Sequence, residues 1–258
     1  MAKKWASFPH PDKAYAHDLA ALKKAWPRLH KSDCEPLPKD ADVLDAWRHY
    51  HAGAFAEAMA AGRKAGGAGI NAAVKAQMIY ANYLEQSAPA KLALLEEAAG
   101  WADERRHEAP KDANAHYLYA YSLGRYSQGI SITKALAQGF GGKIKDALTT
   151  ALKLEPKHAD AHTAFGSYQA EIIDKVGGIV AGMTYGAKKE SALEHYQKAL
   201  KLNPDSAVAR IEYANGLIML FGKARIADAE KLYKEAAAMK PADAMERLDV
   251  ELARSELE

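Results

Sequence analysis

Between residues 191 and 202 the apolar side chains recur at helical spacing. Leu193, Tyr196, Ala199, Leu200 and Leu202 share one stripe, with Lys, Glu and Gln opposite. Asn203-Pro204-Asp205 ends that helix, because proline cannot continue it. Asp205 or Ser206 can cap a second helix that opens at about Ala207 and buries Ile211, Ala214 and Leu217. The same alternation of amphipathic run and turn holds elsewhere. It predicts a helix over about residues 11–26, then a polar, proline-containing linker, SDCEPLPKD. Helices over 41–51 and 54–65 follow, joined at Gly53, whose missing Cβ suits a tight antiparallel turn. Gly66-Gly67-Ala68-Gly69 breaks the chain before a helix over about 71–86.

Four segments then align without gaps: AQMIYANYL at 76–84, AHYLYAYSL at 115–123, AHTAFGSYQ at 161–169 and ARIEYANGL at 209–217. Each starts with alanine, carries an aromatic four residues on (Tyr80, Tyr119, Phe165, Tyr213) and follows it with a small residue (Ala81, Ala120, Gly166, Ala214). An aromatic fills the gap between helices, and a small neighbour allows the roughly 8–10 Å approach of a close helix pair. The second helix of each pair ends at Pro110, Pro156, Pro204 and Pro241. Twelve and eight residues before these prolines stand Ala98 and Ala102, Ile144 and Leu148, Ala192 and Tyr196, Ala229 and Tyr233. Over about 70–241 this pattern resembles the tetratricopeptide repeat (TPR). The resemblance implies an all-α, right-handed solenoid of antiparallel helix pairs. On that reading residues 1–38 are an N-terminal helix and linker cap. The repeats fall at about 39–67, 70–110, 112–156, 158–204 and 206–241, and a charged amphipathic capping helix fills 242–258.

The spacing departs from the usual repeat of about 34 residues. Extra length falls between the two helices of a repeat, at 127–142 (SQGISITKALAQGFGG) and about 174–186 (DKVGGIVAGMTYG). Both insertions are apolar where ordinary linkers are polar, so they are expected to pack as extra helical turns or against the concave surface.

Composition narrows the class of function. Strand-like runs of β-branched residues are nearly absent, and 49% hydrophobic content allows a substantial core. The formal net charge of +2 gives no electrostatic reason to expect nucleic acid or an anionic membrane as partner. Cys34 is the single cysteine, so no intrachain disulfide can form. No run reaches the roughly 18 apolar residues of a membrane span, and the first residues lack the apolar core of a secretory signal. A cytoplasmic protein is the expectation.

Residues 216–223, GLIMLFGK, miss the P-loop pattern: five residues separate the glycines and Ala224 follows the lysine. His158 and His162 could share a helix face, but His162 aligns with His116, Gln77 and Arg210 at a packing position. Adjacent carboxylates such as Glu96 and Glu97 diverge by about 100° on a helix. No catalytic, cofactor-binding or metal residue is therefore assigned, and the chain is expected not to be an enzyme.

Tyr117, Tyr121 and Arg125 recur every four residues on a second stripe of their helix. Aligned places carry Met78 and Asn82, then Thr163, Ser167 and Glu171, then Ile211, Asn215 and Met219. In TPR proteins this side lines the concave groove. The resemblance thus implies a scaffold or adaptor that binds a peptide or partner protein there, with Asn82 and Asn215 reaching a ligand backbone. An alternative is a small hydrophobic ligand in an enclosed lumen. It rests on a similarity of GGIVAGMTYGAKKESALEHYQKALKLNP and YANGL to T-component proteins of TRAP transporters. On that alternative a tunnel would be reached by residues 179–184. Exposed solenoid ends also suit a homo-oligomer.

Overall fold

The computed structural model describes residues 5–258. All regular structure among them is helical. The chain runs α1 (Leu19–Leu29), α2 (Ala41–His51), α3 (Phe55–Ala65), α4 (Gly69–Ile79, widening into a π turn Tyr80–Leu84), α5 (Ala88–Glu108) and α6 (Ala113–Gln128). It continues through α7 (Ile132–Ala137), α8 (Phe140–Leu154), α9 (Ala159–Val176), α10 (Gly178–Val180, with a π turn Ala181–Tyr185), α11 (Lys189–Leu202), α12 (Ala207–Phe221), α13 (Ile226–Ala237) and α14 (Ala244–Ser255). Antiparallel pairs α2/α3, α4/α5, α6/α8, α9/α11 and α12/α13 stack side by side as an all-α solenoid.

Side-chain caps explain where the helices start. Asp40, Ser87, Asp112, His158, Ser206 and Asp243 each accept a backbone N–H from the first turn that follows. The N-terminal helix starts later than its periodicity predicts. Asp12 caps a separate 3₁₀ turn, Lys13–Tyr15, and Asp18 caps α1, which carries Pro27 near its end. Gly62 and Gly69 let α3 and α4 cross closely, since a Cβ on Gly62 would stand 2.4 Å from the Gly69 carbonyl oxygen.

The solenoid does not stay open. α14 packs on α12 and α13 and also reaches α2. Ala244 and Leu248 join Leu22, Trp26, Val43, Trp47 and Tyr50 of the first helices in one apolar cluster. Arg28 pairs with Glu246 at 2.6 Å, His51 with Asp243 at 2.6 Å, and the Tyr83 hydroxyl donates to Asp249 at 2.5 Å. The linker after α1 lies along the turns between repeats like a strap. The Ser32 carbonyl accepts from Asp160 N, Ser32 Oγ from Asn203, the Asp33 carbonyl from Asn114, and the Glu35 carboxylate from Asn71. It therefore ties the N-terminal ends of α4, α6, α9 and α12 together.

Candidate functional site

Strap, α14 and the inner helices border a half-open cavity of about 200 Å³. It runs along α6 and α9 from the strap, at Ser32, to the first insertion, at Ile132 and Leu136. Its walls differ in chemistry. α6 and α9 touch little, so the apolar face of α8 shows between them, and Phe140, Ile144, Leu148 and Ile172 form one wall. The other wall is polar.

Five of the ten groove residues expected from the repeat meet there: Tyr117, Tyr121, Arg125, Ser167 and Glu171. Arg125 Nη2 lies 2.6 Å from Glu212 Oε1, and Ser167 donates to the other Glu212 oxygen at 2.8 Å. Burial alone would raise the Glu212 carboxyl, but Arg125 and Ser167 outweigh it and hold it below the ordinary carboxylate range. Glu171, by contrast, is raised by burial. Asn82 stays just outside and donates to the Tyr121 hydroxyl at 3.1 Å. The remaining four are placed elsewhere. Met78 and Ile211 are fully buried in the packing between helices. Asn215 accepts the Tyr233 hydroxyl within its own repeat, and Met219 stands on the outer surface. The reason is rotation of α12: it turns Val208 and Glu212 to the cavity, one register away from the aligned stripe. Residues 179–184 do not reach the cavity, and Ile179 and Met183 point to solvent.

Several buried polar residues beside the cavity escape the repeat pattern because their partners are distant in the chain. Lys75 Nζ sits 2.5 Å from Asp33 Oδ2 and 3.8 Å from Asp160 Oδ2. Burial opposes its charge, yet these two carboxylates keep it firmly protonated. From Asp33 a buried chain of polar contacts continues through His30 (2.9 Å), His51 (3.1 Å) and Asp243 (2.6 Å). Burial lowers His30 to about 4 against the opposing pull of Asp33. Burial, aided by Asp33 and opposed by Lys75, pushes Asp160 up to about 6. Burial also raises Asp249 well above the usual range. A lone charge inside an apolar run, as Lys75 is in GINAAVKAQMI, was the available signal, and Glu212 is the one carboxylate in AVARIEYANGLIMLF.

The cavity is thus rich in carboxyls held toward the neutral form, and the Tyr50 and Tyr168 hydroxyls on its walls have no hydrogen-bond partner in the protein. A phenol in that state can donate to or accept from a guest. Among the described residues no group of three His, Cys, Asp or Glu side chains could hold a metal ion. His158 instead caps α9 through Nδ1 and meets Asn114 through Nε2 at 2.9 Å. Cys34 is raised to about 11 by burial first and by Glu155 and Asp33 next, which suppresses its thiolate.

Helix pairs stacked in register, closed by a strap and a terminal helix around an interior cavity, define a TPR-type α-solenoid. A crystal structure of a thermophilic TPR protein from Thermus thermophilus is similar to it, with a TM-score of 0.56 and 15% identity over 83% of this chain and 97% of that one. That likeness shows the fold. The chain belongs to the family described as regulator of microtubule dynamics protein 1-3, whose model matches residues 70–257. No curated protein matches it by sequence.

Proposed function

We propose that this chain is a non-catalytic binding protein of TPR type whose ligand enters the interior cavity. The observation that carries this reading is that cavity itself, where Tyr117, Tyr121, Arg125, Ser167 and Glu171 face an apolar wall drawn from α8 and the first insertion. Its size decides the class of guest. At about 200 Å³ it falls below the roughly 300–1,000 Å³ of drug-sized pockets, so it suits a slender ligand rather than an extended peptide. The concave side, where a peptide would lie, holds α14 and the strap.

Chemistry narrows the guest further. An apolar chain fits against Phe140, Ile144 and Leu136. The other end meets the Tyr50 hydroxyl and the buried carboxyls of Asp160 and Asp249, which suit a neutral or cationic hydrogen-bonding group and disfavour an anion. Displacement of phenylnaphthylamine fluorescence tests this. Decylamine and decanol are expected to compete better than decanoate, and Ala164→Trp, which fills the cavity, to abolish the signal with the fold retained by circular dichroism. Equal competition by decanoate, or full probe binding by Ala164→Trp, would overturn the assignment.

A protein partner is the second reading, and the family's description as regulator of microtubule dynamics favours it. On this reading the scaffold meets its partner through outer helix faces. Co-sedimentation with polymerised tubulin separates the two, because it is insensitive to Ala164→Trp.

A further inference from the structure

Eight of the twelve large hydrophobic side chains exposed among the described residues lie on one rim of the solenoid, where the first helix of each repeat turns into the second. Three successive tips form this rim. The first presents Ile132 and Leu136, and the second Ile179, Val180 and Met183. The third presents Ile218, Met219 and Ile226. The tips are in contact. Tyr185 packs on Gly141 and Lys145 reaches Gly186, joining the first to the second, while Lys189 bonds the Leu220 carbonyl and lies over Phe221, joining the second to the third. Ile179 and Met183 are 81% and 85% exposed and stand four residues apart, so they form one outward ridge.

The charge of this rim is one-sided. Residues 127–145, 177–189 and 218–227 carry six lysines and Arg225, with carboxylates only at their edges, at Asp146, Glu190 and Asp228. Counted with those three flanking carboxylates the edge carries +4 against a remainder of net −2, a balance that the +2 of the whole chain conceals. Arg225 is partly offset by Asp228 beside it.

We infer that this rim docks the protein on an anionic lipid surface, with Ile179 and Met183 entering the headgroup boundary and the lysines pairing with lipid phosphates. The side-chain types favour lipid over a protein partner. Protein interfaces enrich aromatic residues, methionine and arginine and deplete lysine, whereas this rim, Met183 and Met219 apart, exposes aliphatic side chains ringed by lysine. Lysine stems can lie along the apolar boundary with their charges in the headgroup layer, and shallow insertion of aliphatic side chains supplies the rest. The ridge of Ile179 and Met183 lies apart from the cavity, whose mouth Ile132 and Leu136 also line.

Vesicle flotation tests it. The protein is expected to float with vesicles of phosphatidylcholine and phosphatidylserine, weakly with phosphatidylcholine alone, and to be released by salt. Ile179→Glu with Met183→Glu should lower the affinity about tenfold or more. Lys134→Gln and Lys188→Gln should each lower it about fivefold. These four positions are exposed or at the surface, and unchanged melting curves will show that the variants fold. Absence of binding to the anionic vesicles overturns the proposal, as does binding that Ile179→Glu with Met183→Glu leaves intact. Binding to soluble polyglutamate without binding to vesicles likewise overturns it, in favour of an acidic protein.

Discussion

Tyr196 shows how much one residue position can demand of its neighbours. Its ring lies between α9 and α12, where a Cβ on Gly166 would stand 2.9 Å from it and one on Gly216 2.6 Å, and its hydroxyl donates to Ser167. Gly166→Leu or Ala214→Trp should therefore overpack the interior and cost about 1–3 kcal/mol, read as a lowered midpoint in urea unfolding. The aromatic–small pairing of the four aligned segments made Gly166 legible from the sequence, because packing within a repeat is periodic. Lys75 and Asp33 were not legible as a pair: they are 42 residues apart and belong to different elements. Asp160 carries a prediction of its own. Its folded-state value near 6 lies above the ordinary carboxylate value, so the stabilisation is present at low pH and is lost as pH rises through about 4 to 6. Stability of Asp160→Asn relative to the parent should therefore rise across that window, by up to about 3 kcal/mol, in urea titrations at fixed pH values.

At the scale of elements, the inserted segments and α14 depart most from an ordinary repeat. Glycine and apolar residues marked both insertions as ordered additions, yet one lines the cavity through Ile132, Leu136 and Phe140 and the other turns Ile179 and Met183 outward. Local sequence does not encode that difference. It follows from the gap between α6 and α9, which only the first insertion adjoins. The amphipathic character of α14 was readable, and the helix packs on α12 and α13. Its second attachment, to α1 and α2, depends on polar contacts that no helical period reveals. Asp243 accepts from Glu246 N as the cap of α14 and pairs with His51. Asp243→Ala removes the cap and leaves His51 without its carboxylate. The expected loss is about 2–4 kcal/mol in unfolding free energy, above the roughly 1 kcal/mol of a cap alone because a buried polar group is left unpaired as well. A loss near 1 kcal/mol would show that the seam between α14 and α2 contributes little.

For the whole molecule, the solenoid class was legible because four repeats in register leave few other packings, while closure was not, since it joins residues such as Lys31 and Asp205 that lie 174 positions apart. Open solenoids behave as one-dimensional arrays whose ends can fray independently. Here the first pair shares an apolar cluster with α14, which covers the last pair, and the strap crosses four repeats, so the ends have no independent existence. Hydrogen exchange should show similar protection for α2, α12 and α14, and a graded decline toward either end would contradict this. The same seam limits how such a protein can change over generations. Open repeat arrays lengthen by duplicating a unit, but an added pair here would move α14 away from α2 and pull the strap out of step with the turns it binds. Variation in this chain is therefore channelled into the loops between paired helices, which can grow without disturbing the circuit.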